Sequence, residues 1–298
     1  MDKKLKEIYR PIEKELALVE ERVREQLFAK ERPIDELSDY LLGGPGKRIR
    51  GALVIFSARA ASKNGLKNVQ PELSCLAAAV ELIHSAALVH DDVIDHSSLR
   101  HGKESINARW SNELSIAFGD YLHSKAFELL TRIDRPDILN ALAKTAIAMS
   151  EGELLQISHR GNFDISTQRY LTIVKKKTAS LFACASKAGA LLCGNGCSKY
   201  SDALERYGLN FGCAFQIADD YLDLVATPHR LGKPTGQDEL LGDPTLPLLN
   251  LKRGVAEPQA TLSVMRSFVQ DAKRELLCLK PSPYKDSLTD LTDFITKV

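Results

Sequence analysis

The chain has 298 residues, 44% hydrophobic and 27% charged, and its 40 Lys+Arg against 39 Asp+Glu leave a formal net charge of +1. That composition excludes a mainly disordered chain, and the charge balance gives no electrostatic reason to expect nucleic acid as a partner. No uncharged apolar run approaches the ~18 residues of a membrane-spanning helix, and Met1-Asp2-Lys3-Lys4-Leu5-Lys6-Glu7 lacks a signal-peptide core, so a cytoplasmic protein is expected.

Aromatic residues make up 6% of the chain and strand-like alternation is scarce, while Leu, Ala and Ile recur at three-and-four spacing, so the fold class reads as all-α. The first helix is predicted over 3–29, with apolar positions at Leu5, Ile8, Ile12, Leu16 and Val19. Pro11 can kink or restart it, and Glu31-Arg32-Pro33 ends it. Further helices are predicted over 34–42, 47–63, 71–95, 104–133, 136–159 and 166–192, then 198–225, 244–251, 259–277 and 283–296. Turn chemistry separates them, as in Gly43-Gly44-Pro45-Gly46, Gly161-Asn162 and Gly194-Asn195-Gly196. Neither a composition shift nor a fixed-period repeat divides the chain, so residues 1–298 read as one domain, a single bundle of about ten or more helices. The polar, Gly/Pro-rich stretch 227–247 interrupts this regularity, and a long loop of that kind in a compact domain is expected to be functional.

Six cysteines without a CxxC pair suit reduced, buried thiols. Cys193 and Cys197 have no second pair nearby, which argues against zinc between them. The histidines His84, His90, His96 and His101 are spaced by six, six and five residues, unlike the i, i+4 pair of a zinc hydrolase. Glu81-Leu82-Ile83-His84 has the Glu-x-x-His spacing of di-iron bundles once, where such a site needs it twice.

The acidic clusters carry more information. Asp91-Asp92-Val93-Ile94-Asp95 closes an otherwise apolar helix, and its first and last carboxylates, four residues apart, share one face. Asp219-Asp220-Tyr221-Leu222-Asp223 repeats the arrangement at the end of another apolar helix. Helix C-termini disfavour anions, and clustered carboxylates on apolar helices are costly unless a cation neutralises them. An all-oxygen donor set selects a hard cation, and Mg²⁺ typically takes one or two carboxylates, several waters and a substrate phosphate.

In this order, Gly46-Lys47-Arg48-Ile49-Arg50, Glu81-Leu82-Ile83-His84, the two acidic motifs, Lys177-Thr178, Gly232-Lys233 and Thr245-Leu246-Pro247-Leu248 resemble the trans-isoprenyl diphosphate synthases, or polyprenyl synthetases, over nearly the whole chain. The resemblance implies the isoprenoid synthase fold, a helical bundle around a central cavity. It also implies condensation of isopentenyl diphosphate onto an allylic diphosphate in the trans configuration, with three Mg²⁺ ions and the released pyrophosphate taking the final proton. Asp91 and Asp95 are then expected to hold two of the ions with Asp92 in support, and Asp219 the third with Asp220 and Asp223 around it. Lys47, Arg50 and His84 match contacts to isopentenyl diphosphate, and Arg100, Lys177, Thr178, Gln216 and Lys233 match contacts to the allylic diphosphate. Lys175 and Lys176 read as surface charges. A homodimer is expected, with at most transient membrane contact as a greasy product leaves.

Two positions depart from the family pattern. His101 stands where relatives usually carry a second Arg, and Asp243 where they often place Lys. The first forfeits a charge-assisted contact of roughly 1.5–3 kcal/mol unless His101 is protonated by the diphosphate, and the second lowers positive charge near a loop expected to cover the site. Ala86 and Ala87, just before Asp91, are expected to border the tunnel into which the product grows. Small residues there imply a chain longer than farnesyl, with Phe127 as the expected floor. A long-chain polyprenyl diphosphate is the expected product. The alternatives are a geranylgeranyl diphosphate synthase, or a weakly active or regulatory subunit of a heteromeric synthase.

Overall fold

The computed structural model describes residues 2–44, 46–62, 70–100, 102–193, 198–225, 236–255 and 258–295. Helix α1, Lys3–Tyr9, is capped by the Asp2 carboxylate, which accepts from the backbone N–H of Lys4 at 2.8 Å. A 3₁₀ turn, Arg10–Ile12, separates it from α2, Glu13–Leu27. The expected first helix is therefore two, because Pro11 lacks an N–H and crowds the preceding turn. Helix α3 spans Arg32–Leu42, α4 Ile49–Ala61 and α5 Gln70–Ile94. Arg48 adopts a left-handed backbone with φ of 52° immediately before α4.

The helix expected over 104–133 is divided. Two short antiparallel strands, β1 Leu99–Arg100 and β2 Lys103–Glu104, lead into α6, Ile106–Arg109, and α7, Asn112–Thr131. Two serines cause the restarts, since the Ser105 hydroxyl accepts from Ala108 N and that of Ser111 from Leu114 N. Each side chain satisfies a helix N-terminal N–H that would otherwise lack a partner. Helix α8 spans Pro136–Ser158, and α9 spans Thr167–Val174. A π turn, Lys175–Ala179, joins α9 to α10, Ser180–Leu191. The chain continues through α11 Ser198–Val225, α12 Gln237–Leu241, α13 Leu246–Lys252, α14 Gln259–Glu275 and α15 Pro283–Ile295.

Two apolar clusters share α11. On one side Tyr207 and Phe211 pack with Phe182 of α10, Phe56 of α4 and the inner faces of α5 and α7. On the other, Cys213 and Ile217 pack with Tyr170 and Ile173 of α9, Leu249 of α13 and Met265 of α14. Each fully buried aromatic or branched side chain contributes about 1.5–3 kcal/mol by leaving water. Helix α5 is long and apolar enough by composition to cross a membrane, although Glu81 interrupts its apolar run. It instead packs against α2, α4 and α7, and most of it is buried. Cys193 donates its thiol to the Ala58 carbonyl at 2.9 Å, while Cys197 lies outside the described residues.

Candidate active site

A cavity of about 1140 Å³ runs between α5, α8, the π turn and α11. Its polar wall begins where α5 ends. Asp95 follows the last turn, its N–H bonded to the Asp91 carbonyl at 2.8 Å, so three carboxylates crowd a helix terminus whose dipole repels them. Basic side chains answer this charge. Arg100 reaches back from β1 and donates through Nε to Asp92 Oδ1 at 2.7 Å. Arg160, in the turn after α8, donates through Nη2 to Asp95 Oδ1 at 2.5 Å. Lys177 pairs with Glu153 of α8, and its charge also acts on Asp91. Burial raises the Asp91 carboxyl above its ordinary value, with Lys177 opposing and Asp95 adding to the rise. Burial works against the Lys177 ammonium, but Asp91 and Glu153 hold it above its ordinary value.

Lys177 and Thr178 lie on the π turn, and neighbouring glycines let two helices close on it. A Cβ on Gly152 of α8 would stand 2.3 Å from Lys177 N, and one on Gly212 of α11 would stand 2.6 Å from Ala179 Cα. The extra residue in the π turn turns these side chains toward the cavity, a common use of such bulges. Thr178 then donates to Gln216 Oε1 at 2.8 Å, and Gln216 Nε2 donates to Asp220 Oδ1 at 2.7 Å. Tyr170 donates to the other Asp220 oxygen at 2.6 Å. Burial, followed by the Asp220 charge, pushes the Tyr170 hydroxyl well above its ordinary value, so it remains a donor. Asp223 lies behind this row. Its Oδ2 accepts from Asp238 N at 3.1 Å, while Oδ1 is buried without a hydrogen-bond partner among the described residues.

The cavity lining includes Asp91, Asp92, Asp95, Asp219, Asp220, Lys47, Arg50, His84, Arg100, Lys177, Thr178 and Gln216. Arg50 stacks over the Phe182 ring at 4.1 Å, and burial lowers its guanidinium to about 10 although Glu81 opposes this. Lys47 is exposed, and its carbonyl is tied by the Tyr9 hydroxyl at 2.9 Å. His101 and Lys233 lie outside the described residues. The apolar wall is formed by Ala87, Leu88, Ala146, Met149 and Leu154, together with His123 of α7. Ala86 is instead packed in the core, and Phe127 lies against the core cluster without reaching the cavity. On α5 the cavity face holds Ala87 while its neighbour Ala86 turns inward, and on α7 Phe127 shares its face with His123 but lies one turn further along, beyond the cavity lining.

Sequence reasoning did not single out Glu153, Gln156, Arg160, Tyr170 or His123. Each is one polar residue on an amphipathic stretch or in a turn, without a partner at informative spacing. The departure at Asp243 also has a different consequence from the one expected: its carboxylate is buried and receives Arg160 Nε at 2.9 Å and Gln156 Nε2 at 2.6 Å. A neighbouring guanidinium therefore balances the anion.

Among the described residues no three His, Cys, Asp or Glu side chains form a preformed metal cage. The donors present suit Mg²⁺, which keeps waters and takes few carboxylates alongside phosphate. The oxygen-only set and the cationic rim around the cavity together fit a dication bound with a diphosphate.

The sequence pattern of the polyprenyl synthetase family matches residues 31–276. An all-trans-nonaprenyl-diphosphate synthase (geranyl-diphosphate specific) from Rhodobacter capsulatus is 34% identical over 270 residues, covering 91% of this chain and 81% of that protein. Heptaprenyl diphosphate synthase component 2 from Geobacillus stearothermophilus is 36% identical over 279 residues, covering 91% and 85%. A polyprenyl synthase from Caulobacter crescentus CB15, crystallised with calcium and isoprenyl diphosphate, superposes with a TM-score of 0.92 at 33% identity, covering 99% of this chain and 98% of that one.

Proposed function

The chain belongs to the polyprenyl synthetase family and is a prenyltransferase; from that premise we propose that it extends an allylic diphosphate with isopentenyl diphosphate, using Mg²⁺, to a long-chain all-trans polyprenyl diphosphate. The observation that carries this reading is the meeting of two acidic motifs, a cationic rim and an apolar wall around one cavity. Residues 1–298 act as one polyprenyl-synthetase domain in this reading, cytoplasmic and in at most transient contact with a membrane.

Asp91, Asp95 and Asp219 would hold the dications, with Asp92, Asp220 and Asp223 fixing their surroundings. Bound Mg²⁺ would supply neutralisation of the diphosphate as its charge develops. The chain's own part is then positional. Lys177 and Arg100, beside the carboxylates of the first motif, bind the allylic diphosphate, and Thr178 and Gln216 orient it. Lys47, Arg50 and His84 hold isopentenyl diphosphate. Ala87, Leu88 and Met149 exclude water from the allylic cation that forms when the C–O bond breaks.

Ala87 leaves the wall open below Asp91, which favours a long product over geranylgeranyl diphosphate. His123 is the better candidate for limiting it. Phe in place of His123 is expected to shorten the main product by at least one isoprene unit, and Phe127→Ala to leave it unchanged. The exposed apolar side chains Leu114 and Ile116 of α7 and Ile147 and Leu154 of α8 suit burial against a second copy, supporting a homodimer. The name of the Geobacillus relative keeps a second reading open, in which this chain is one component of a heteromeric synthase.

Incubation with Mg²⁺, labelled isopentenyl diphosphate and farnesyl or geranylgeranyl diphosphate tests the proposal, with product length read by chromatography and mass. A Mg²⁺-dependent ladder ending beyond twenty carbons is expected. A ladder stopping at twenty carbons would favour the geranylgeranyl alternative, and no elongation by the folded protein would favour the heteromeric one.

A further inference from the structure

We propose that Arg160 is a positioning residue for prenyl transfer in this chain, a clamp that fastens Asp95 of the first acidic motif to Asp243 of the segment before α13. The proposal rests on reading the cavity as a diphosphate and dication site. Arg160 does not border the cavity, whereas Asp95 and Asp243 both do, so it acts through the two carboxylates. Its guanidinium uses separate edges for them, Nη2 for Asp95 Oδ1 at 2.5 Å and Nε for Asp243 Oδ1 at 2.9 Å. A planar fork of donors can hold two anions at fixed angles, which a lysine ammonium cannot do.

The surrounding backbone is stitched in the same place. Gly161 N donates to the Gly242 carbonyl at 2.8 Å, and a Cβ on Gly242 would stand 3.0 Å from Gly161 N. Gln156, the last but one cavity residue of α8, donates to the second Asp243 oxygen at 2.6 Å. Asp243 is only 3% exposed, and a carboxylate so placed is tolerated when paired and hydrogen-bonded. Three segments distant in sequence thus converge on one guanidinium: the end of α5, the turn after α8 and the approach to α13. Of these, the first carries an expected dication ligand and the third carries Thr245, a cavity residue whose hydroxyl is buried without a partner among the described residues. Without the clamp Asp95 would face Asp91 and Asp92 with only the shared charges of Arg100 and Lys177 against it, and the two cavity walls would lose their fixed relation.

The test compares Arg160→Ala, Asp243→Ala, the double variant and Arg160→Lys. Two readouts are used: Mn²⁺ binding in the presence of inorganic pyrophosphate, followed by electron paramagnetic resonance, and kcat/KM for the allylic diphosphate as a function of Mg²⁺. Each Ala variant is expected to weaken Mn²⁺ binding and kcat/KM by about 10–100-fold, as loss of a group that orients a ligand does. The double variant should lose no more than the worse single one, because the two side chains act as a unit. Arg160→Lys should recover little. Variants that melt earlier yet bind Mn²⁺ and turn over like the parent would overturn the proposal, leaving a fastening role only, and so would additive losses. A parent protein that fails to bind Mn²⁺ with pyrophosphate would overturn the reading of the cavity itself; normal parent binding with unmoved variants would overturn the clamp alone.

Discussion

At the end of α5, Asp92 and Asp95 are met by the guanidinium groups of Arg100 and Arg160, whereas on α11 both oxygens of Asp220 are met by neutral donors, Tyr170 and Gln216. The two motifs share a residue spacing and differ in what restrains them. Ion pairs act at a distance and can exchange partners, so at the first motif an arriving dication can take over from Arg100 at Asp92 while Arg160 keeps Asp95 tied to Asp243. Short hydrogen bonds from neutral donors to a carboxylate depend on geometry, so the second suits a carboxylate held in one orientation throughout. One motif is poised to change partners and the other is a fixed reference.

Removing a charge expected to touch a dication should have the largest effect. Asp91→Asn is expected to cut the elongation rate by about 10²–10³-fold, the scale of losing one electrostatic group at a reacting centre, with the far-ultraviolet circular dichroism unchanged. A pair of variants then sets the two motifs against each other. Tyr170→Phe leaves a buried Asp220 oxygen without its donor and should lower stability by about 1.5–3 kcal/mol, a loss in urea melts that added Mg²⁺ with pyrophosphate does not recover. Arg100→Gln should be recovered in large part by the same addition, because a bound dication can take over the countercharge. Equal recovery of both variants would erase the distinction.

Gly152→Ala forces a methyl against the Lys177 backbone and should destabilise by about 1–3 kcal/mol, as overpacking does, while also weakening pyrophosphate binding because the π turn must move. The smallest effect belongs to the wall remote from both motifs. Burial lowers the His123 imidazole below its ordinary value, His90 adds to this and Asp120 opposes it. The unfolded chain therefore takes up the proton first as pH falls. The contribution of neutral His123 to stability is complete above the unfolded value of about 6.5 and is lost as pH falls from there through the lower folded value. The melting temperature of His123→Gln should accordingly fall less than that of the parent between about pH 7.5 and 5.5, the window around that unfolded value.

How legible these features were depends on whether they repeat. The helices announce themselves because apolar residues recur along α5, α7, α8 and α11, and the acidic motifs because each repeats a carboxylate at four residues on an apolar background. Ser105 and Ser111, which break up one expected helix, sit among residues that are all compatible with helix, and only their side-chain hydrogen bonds decide the outcome. Arg160 and Glu153 are single charges, and a single charge looks the same on a surface as in a site. Their meaning comes from partners far along the chain: Asp95 and Asp243 for one, Lys177 for the other. Phe127 lies one turn beyond His123 on the same face of α7 and outside the cavity lining, since how deep a cavity reaches along a helix depends on packing that local sequence does not encode.

The π turn at Lys175–Ala179 also governs how this chain tolerates changes in length. A π turn is an α-helix carrying one residue more than its hydrogen bonds need. Deleting Lys176 would let α9 and α10 fuse into a regular helix with every backbone bond intact, and because the π turn already absorbs one residue the two helices would keep close to their present rotation. Such a protein would keep its helical content and its apolar core while Lys177 and Thr178 lost the bulge that turns them to the cavity, so a single-codon deletion here should separate folding from activity.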